Sequence, residues 1–178
     1  LSGDERVELV RAVRSAIPSE KLLIAGAGLE STRETVRLVH RMAEVGADAV
    51  IVVTPSYFAP SIGPAGLLAH YRSIAEASSL PVILYSVPIY THLDLPLEVV
   101  RELATHPNVI GIKESGGSLA KITSLVSQTP GDFQVLVGSA GLLLGAGGLA
   151  PAGGACGNLD MQIVHQGAHG GGIGLEIG

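Results

Sequence analysis

Apolar positions along this chain alternate between helical spacing and short unbroken runs. Leu9, Val13 and Ile17 recur at helical intervals, behind Ser2-Gly3-Asp4-Glu5 and ahead of Pro18, which ends the run. Ser2 and Glu5 stand at the spacing of a capping box, which satisfies free amides of a first helical turn. Leu22-Leu23-Ile24-Ala25 then reads as a strand. Ser31-Thr32-Arg33-Glu34 is a second capping box, and Val36, Val39 and Ala43 set the stripe of a helix that Gly46 closes. Ala49 to Thr54 is β-branched and wholly apolar until its last residue, as a buried parallel strand requires. Pro55 to Pro64 is a loop carrying Tyr57 and Phe58, Leu67 to Ala77 a helix, and Val82-Ile83-Leu84-Tyr85 a strand closed by Ser86-Val87-Pro88. Pro96 suits the first turn of a helix through Leu103. Val109 to Lys113 is the fourth strand, Leu119 to Gln128 a helix, Gln134 to Gly138 the fifth strand, and Gly154-Ala155-Cys156 a weak sixth.

Strand and helix thus repeat at roughly 25 to 30 residues, the size of one βα unit. Two architectures accommodate such a repeat: a (β/α)8 barrel and an open doubly wound sheet. Thr54, Tyr85, Lys113 and Ser139 end successive strands, and polar or reactive strand ends collected in this way favour the TIM barrel. Six strands are two short of closure, so the expectation is a partial barrel of about six parallel strands, lacking its first two. Residues 1–156 form the expected barrel domain. Residues 157–178 form a Gly-rich tail; Gly167 to Gly178 holds six glycines without helical or strand period, and the tail is expected to be poorly ordered.

Composition narrows the function classes. Of 178 residues, 47% are hydrophobic and 15% charged, with 24 glycines, a balance that suits one parallel α/β domain. A net charge of −5, no basic cluster and 3% aromatic residues leave no footprint for nucleic acid. The single cysteine, Cys156, excludes an intrachain disulfide framework. No apolar run reaches the roughly 18 residues that a membrane span needs.

Lys113 is the leading candidate for chemistry. Strand alternation places it with Gly111 and Val109 on one face, with Gly111 leaving space beneath the lysine stem. A lysine held among apolar neighbours at a strand's C-terminal end can attack a carbonyl and form a Schiff base. The plainer alternative is a lysine that turns to Glu114 or to solvent. Tyr85 ends the preceding strand, and a phenol beside an amine can relay protons through carbinolamine formation and carbon–carbon cleavage. Its plainer alternative is a ring that caps the core with its hydroxyl in water. Gly26-Ala27-Gly28 lacks the third glycine of a dinucleotide loop, and Glu30 would oppose a pyrophosphate. Gly138-Ser139-Ala140-Gly141 suits either a carboxylate cradle or a tight turn. His165 and His169 have metal-ligand spacing only in a helix, which the surrounding glycines oppose, and no metal site is expected. His40, His70, His92 and His106 are expected at the surface.

Several motifs together resemble one family. Leu84-Tyr85-Ser86-Val87-Pro88, Gly111-Ile112-Lys113-Glu114-Ser115, Ala25-Gly26-Ala27-Gly28 with Ser31-Thr32, and Gly46-Ala47-Asp48-Ala49 with Thr54-Pro55 are similar to the dihydrodipicolinate synthase and N-acetylneuraminate lyase family. The likeness runs from Leu1 to Cys156. It implies a class I aldolase on a (β/α)8 barrel, usually a homotetramer, acting on a small 2-oxo acid without a metal or organic cofactor because the imine on Lys113 is the electron sink. It implies Lys113 as nucleophile and Tyr85 as proton relay. Ser115, Gly138 and Cys156 are implied at the substrate, and Tyr57 as a loop tyrosine that assists across a subunit contact. Within the family, Ser86, Lys113-Glu114-Ser115-Gly116-Gly117 and Phe133-Gln134-Val135-Leu136 with Gly138-Ser139-Ala140-Gly141 look most like the 4-hydroxy-2-oxoglutarate aldolase branch. That branch implies cleavage to pyruvate and glyoxylate, and a mitochondrial location with a cytoplasmic alternative. A truncated, non-catalytic form that associates with full-length subunits is one alternative, and another pyruvate-dependent lyase or synthase such as dihydrodipicolinate synthase is a second. The resemblance also implies that the family's carboxylate-binding loop would precede Leu1. Tyr90 and Thr91-His92 replace an Arg or Asn and a Thr-Gly at the corresponding place.

Overall fold

The structure is a computed structural model that describes residues 1–138, 161–166 and 173–177. Its chain begins with α1 (Gly3–Ala16), capped reciprocally by Ser2 and Glu5 as their spacing predicts. Four strand–helix alternations follow: β1 (Leu22–Gly26) and α2 (Thr32–Glu44), β2 (Ala49–Val53) and α3 (Pro64–Ala77), β3 (Val82–Ser86) with α4 (Pro88–Thr91) and α5 (Leu97–Leu103), and β4 (Val109–Glu114) with α6 (Leu119–Gln128). β5 (Gln134–Val137), β6 (Met161–Gln166) and β7 (Ile173–Ile177) complete the described elements. The second capping box forms only in part. Ser31 accepts from the Glu34 amide, while the Glu34 carboxylate turns outward to Arg37.

The sheet has the order β5-β4-β3-β2-β1-β6-β7. β1 to β5 are parallel and adjacent in chain order, as the repeat predicts; a doubly wound sheet would reverse its order in the middle. The two faces of these strands differ. Leu23, Ala25, Val50, Val52, Leu84, Ile112 and Val135 belong to one large core with the helix residues Val10, Leu38, Met42, Leu67, Tyr71, Ile74, Val100 and Leu125. Ile24, Ala49, Ile51, Ile83 and Leu136 form a second cluster with Tyr85 and without any helix residue. Among the described residues, helices therefore cover one face only, the arrangement of a barrel wall rather than a sheet covered on both sides.

Two local departures from the expected pattern have physical causes. Pairing between β3 and β4 advances from Val82↔Val109 to Ile83↔Gly111, which leaves Ile110 as an extra, bulged residue. Val109 consequently joins the helix-side core instead of sharing the face of Lys113. A Cβ on Gly111 would lie 2.5 Å from the Gln134 carbonyl oxygen, so this glycine serves the close approach of β4 to β5 rather than the lysine stem.

The C-terminal segment contributes two further strands. β6 pairs in parallel along β1, from Leu22↔Met161 to Ala25↔Val164, and β7 pairs antiparallel to β6. Strand pairing therefore occurs within the stretch whose sequence shows no strand period, and it covers the edge of β1. The weak sixth strand expected at Gly154-Ala155-Cys156, and with it Cys156, lies outside the described residues, as do Ser139 to Gly141.

Candidate active site

The site is built where β3 and β4 end. Tyr85 and Lys113 are register partners, and Leu136 on β5 and Val53 on β2 continue the same rung. This rung faces away from the helices, because its neighbours two residues back, Ile83 and Ile51, form the helix-free cluster. Lys113 is 5% exposed, and its Nζ lies 5.0 Å from the centroid of the Tyr85 ring. At that distance an ammonium is stabilised by the ring face.

The plainer reading of Lys113 does not hold. Glu114 points to the opposite face of β4, where its carboxylate accepts the Gly116 N–H at 2.6 Å and pairs with Lys121 at 2.8 Å. Lys113 is therefore turned neither to Glu114 nor to bulk solvent. Ser115 and Gly138 also come together. The Gly138 N–H donates to the Glu114 carbonyl at 2.9 Å, and Ser115 Cβ lies 2.9 Å from the point where a Cβ on Gly138 would stand.

Tyr57 is placed differently from the buried pair. Its ring is 77% exposed and packs edge-on against Phe58, with centroids 4.8 Å apart. Its loop is nevertheless well held, because the Glu30 carboxylate accepts from Ser56 N and Tyr57 N, each at 3.0 Å, and from Ser56 Oγ. Glu30 thus serves as an acceptor for a loop turn. The glycine loop before it is a packing device as well: Ala27 N–H donates to Ile51 O, and a Cβ on Gly28 would lie 2.7 Å from Val53 N. Thr54 follows β2 with a buried hydroxyl that has no hydrogen-bond partner among the described residues, while its N–H donates to Tyr85 O at 3.2 Å.

His70 departs from its expected surface position. It is buried on α3, with Nδ1 2.8 Å from Thr32 Oγ1 and Nε2 without a partner among the described residues. Burial holds its pKa below the ordinary imidazole value, against a smaller opposing pull from Glu30. Sequence reasoning also missed Lys121 and Asp94, which connect to Glu114 and Ser86 behind the pair. One signal was available: Lys121 sits in the first turn of α6, where a cation opposes the helix dipole and needs a carboxylate to hold it.

The match to known proteins follows this geometry. The model of the dihydrodipicolinate synthetase family covers residues 1–157. The chain belongs to that family. Its synthetase relatives include the 4-hydroxy-tetrahydrodipicolinate synthases of Listeria monocytogenes serotype 4a, 40% identical over 145 residues, and of Xanthomonas campestris, 41% identical over 154. These alignments take in 81% and 84% of this chain but 49% and 50% of the relatives, so the chain spans about half the length of the curated relatives it matches. Among solved structures, the dihydrodipicolinate synthase of Bacillus anthracis superposes with a TM-score of 0.81 at 34% identity, over 88% of this chain and 53% of that one. A prophage protein of the family from E. coli K12, solved in complex with pyruvate, superposes with a TM-score of 0.79 at 30% identity, over 87% and 52%. The five parallel strands are accordingly a half-barrel of the TIM-barrel type, and the family is one of enzymes.

These relatives overturn the assignment to 4-hydroxy-2-oxoglutarate aldolase, since they are named as 4-hydroxy-tetrahydrodipicolinate synthases. The structure explains why the motifs misled. Ser86, which carried part of that likeness, is fully buried on the helix side of β3; its Oγ donates to Asp94 Oδ1 at 3.0 Å and accepts from Leu95 N at 3.3 Å. Glu114 likewise faces the helices. Neither side chain can report on a substrate held beside Lys113. Glyoxylate rested on the same likeness and falls with it.

Proposed function

We propose that this chain carries the imine-forming half of a pyruvate-dependent carbon–carbon synthase of the 4-hydroxy-tetrahydrodipicolinate synthase kind. The observation that carries the reading is the buried Lys113 amine set 5.0 Å from the Tyr85 ring centroid on the helix-free face of the half-barrel. In this reaction the free amine of Lys113 adds to the C2 carbonyl of pyruvate. Tyr85 donates a proton to the carbinolamine hydroxyl, which leaves as water and gives the imine. Loss of a C3 proton yields the enamine, whose C3 then forms a bond to an aldehyde carbon, and later release of the amine returns Lys113. The imine accepts the electrons of the C3–H bond, so no metal or organic cofactor enters these steps. Ser115 and Gly138, packed against each other just beyond β4 and β5, are assigned to the ketoacid by the family likeness. Tyr57, Phe58, Ile89 and Tyr90 are exposed on the loops and the short helix that follow β2 and β3, and this reading assigns them to self-association. Cys156 is retained as a pocket residue on the strength of the family likeness alone.

Proton exchange tests the reading. In deuterated water the pyruvate methyl protons should exchange at a rate proportional to protein concentration, monitored by NMR. Lys113→Arg should abolish the exchange, since a guanidinium stays protonated. Tyr85→Phe should slow it by about 10²- to 10⁴-fold, the range for loss of an acid–base group. Exchange at the buffer rate with the folded wild-type chain would refute the proposal.

A further inference from the structure

We propose that Lys121 is a positioning residue for imine formation, tying the end of β4 to the end of β3 across the face of the sheet opposite Lys113 and Tyr85. This inference rests on the reading of Lys113 and Tyr85 given above. Tyr85↔Lys113 and Ser86↔Glu114 are consecutive rungs of one parallel ladder, and their side chains point to opposite faces. Whatever fixes the second rung therefore fixes the first.

The second rung is fixed by one cation. Glu114 has a side chain with no solvent exposure; its Oε1 accepts the Gly116 N–H at 2.6 Å. Its Oε2 has no hydrogen-bond donor of good geometry and is matched in charge by Lys121 Nζ at 2.8 Å. The same ammonium pairs with Asp94 Oδ1, the oxygen that accepts the Ser86 hydroxyl at 3.0 Å. A single side chain, 14% exposed, thus spans from β4 through Asp94 to β3. Between β3 and β4, the last backbone bond among the described residues runs from the Ser115 N–H to the Ser86 carbonyl, so beyond that rung the two strand ends are joined through side chains. Removing Lys121 cuts the link that runs from Glu114 through Asp94 to Ser86, and in the single variant it also leaves a carboxylate held wholly out of water without its cation, so the end of β4 loses its hold on the end of β3. Displacement of Glu114 rotates the adjoining Lys113, and misplacing a reacting group by about 1 Å costs on the order of a hundredfold in rate.

The test separates positioning from folding. Lys121→Met leaves a buried unpaired carboxylate, whereas Glu114→Gln with Lys121→Met removes both charges and leaves an amide oxygen for Gly116 N–H. The double variant is expected to stay folded by circular dichroism, yet to form the borohydride-reducible adduct with pyruvate at least tenfold more slowly. Lys121→Arg, which keeps the cation, should trap within about twofold of the wild-type rate. Wild-type trapping by the folded double variant would overturn the proposal. A second readout needs no ketoacid: amide exchange at Ser115 should quicken at least tenfold in the double variant while Val52 on β2 is unchanged. Unaltered Ser115 exchange would also overturn it. If the wild-type chain fails to trap pyruvate, the functional reading falls, and the amide exchange still decides whether Lys121 orders the strand ends.

Discussion

Ser115 occupies the space that a side chain on Gly138 would need. A Cβ there would lie 2.9 Å from Ser115 Cβ and 3.3 Å from its Cα, with the hydroxyl oxygen nearer still. The contact joins the ends of β4 and β5, whose backbones meet through the Gly138 N–H and the Glu114 carbonyl. Gly138→Ala should therefore cost about 1–3 kcal/mol through overpacking. Adding Ser115→Gly should return most of that loss, because the two positions share one volume. Thermal unfolding of the two single variants and the double variant measures the coupling. Strictly additive losses would show that the two residues do not compete for the same space.

Gly111→Ala meets backbone first. Its Cβ would stand 2.5 Å from the Gln134 carbonyl oxygen, so β4 and β5 must separate. A loss of at least about 1–3 kcal/mol is expected, read as a lower urea midpoint. An unchanged midpoint would mean that the strands part at no cost.

His92 ends the four-residue α4 in the left-handed region, with φ of 52°, a place that favours glycine. The left-handed conformation costs an L residue about 1–2 kcal/mol, and added chain freedom in the unfolded state returns part of any gain from glycine. His92→Gly should thus stabilise the fold by about 0.5–1 kcal/mol. A lower melting temperature would contradict this account of the turn.

His70 makes stability depend on pH. Its folded-state pKa is depressed by burial, so between that lowered value and the unfolded value of about 6.5 the unfolded chain binds more protons. Stability therefore falls as pH drops below about 6.5 and is level in this respect above it. His70→Gln, which cannot protonate, should flatten that part of a stability profile measured between about pH 5 and 7.5. An identical slope in wild type and variant would assign it to other groups.

Much of this fold was legible because its signals are local. Ser2 with Glu5, the β-branched run from Ala49 to Thr54, and Gly46 at φ of 91° each specify an element boundary by nearby chemistry. The pairing of Tyr85 with Lys113 followed from the strand order of a βα repeat. What escaped reading depends on register or on distant partners. The bulge at Ile110 moves Val109 to the other face, and no local pattern marks it. The burial of His70 depends on Thr32, thirty-eight positions earlier. The Glu114–Lys121–Asp94 connection joins a strand, a helix and a loop that are separate in the sequence. Ser86 carried part of the likeness to the aldolase branch, yet strand alternation alone, applied from Tyr85, sends its side chain to the helix side.

Covalent capture at Lys113 is the most direct test of the central claim. Incubation with pyruvate and borohydride, followed by peptide mass mapping, should place one reduced pyruvate on the peptide containing Lys113, with none on Lys121 or Lys21. Loss of the adduct in a folded Lys113→Arg variant should accompany it. A folded wild-type chain that gains no adduct, or gains it equally at other lysines, would contradict the account.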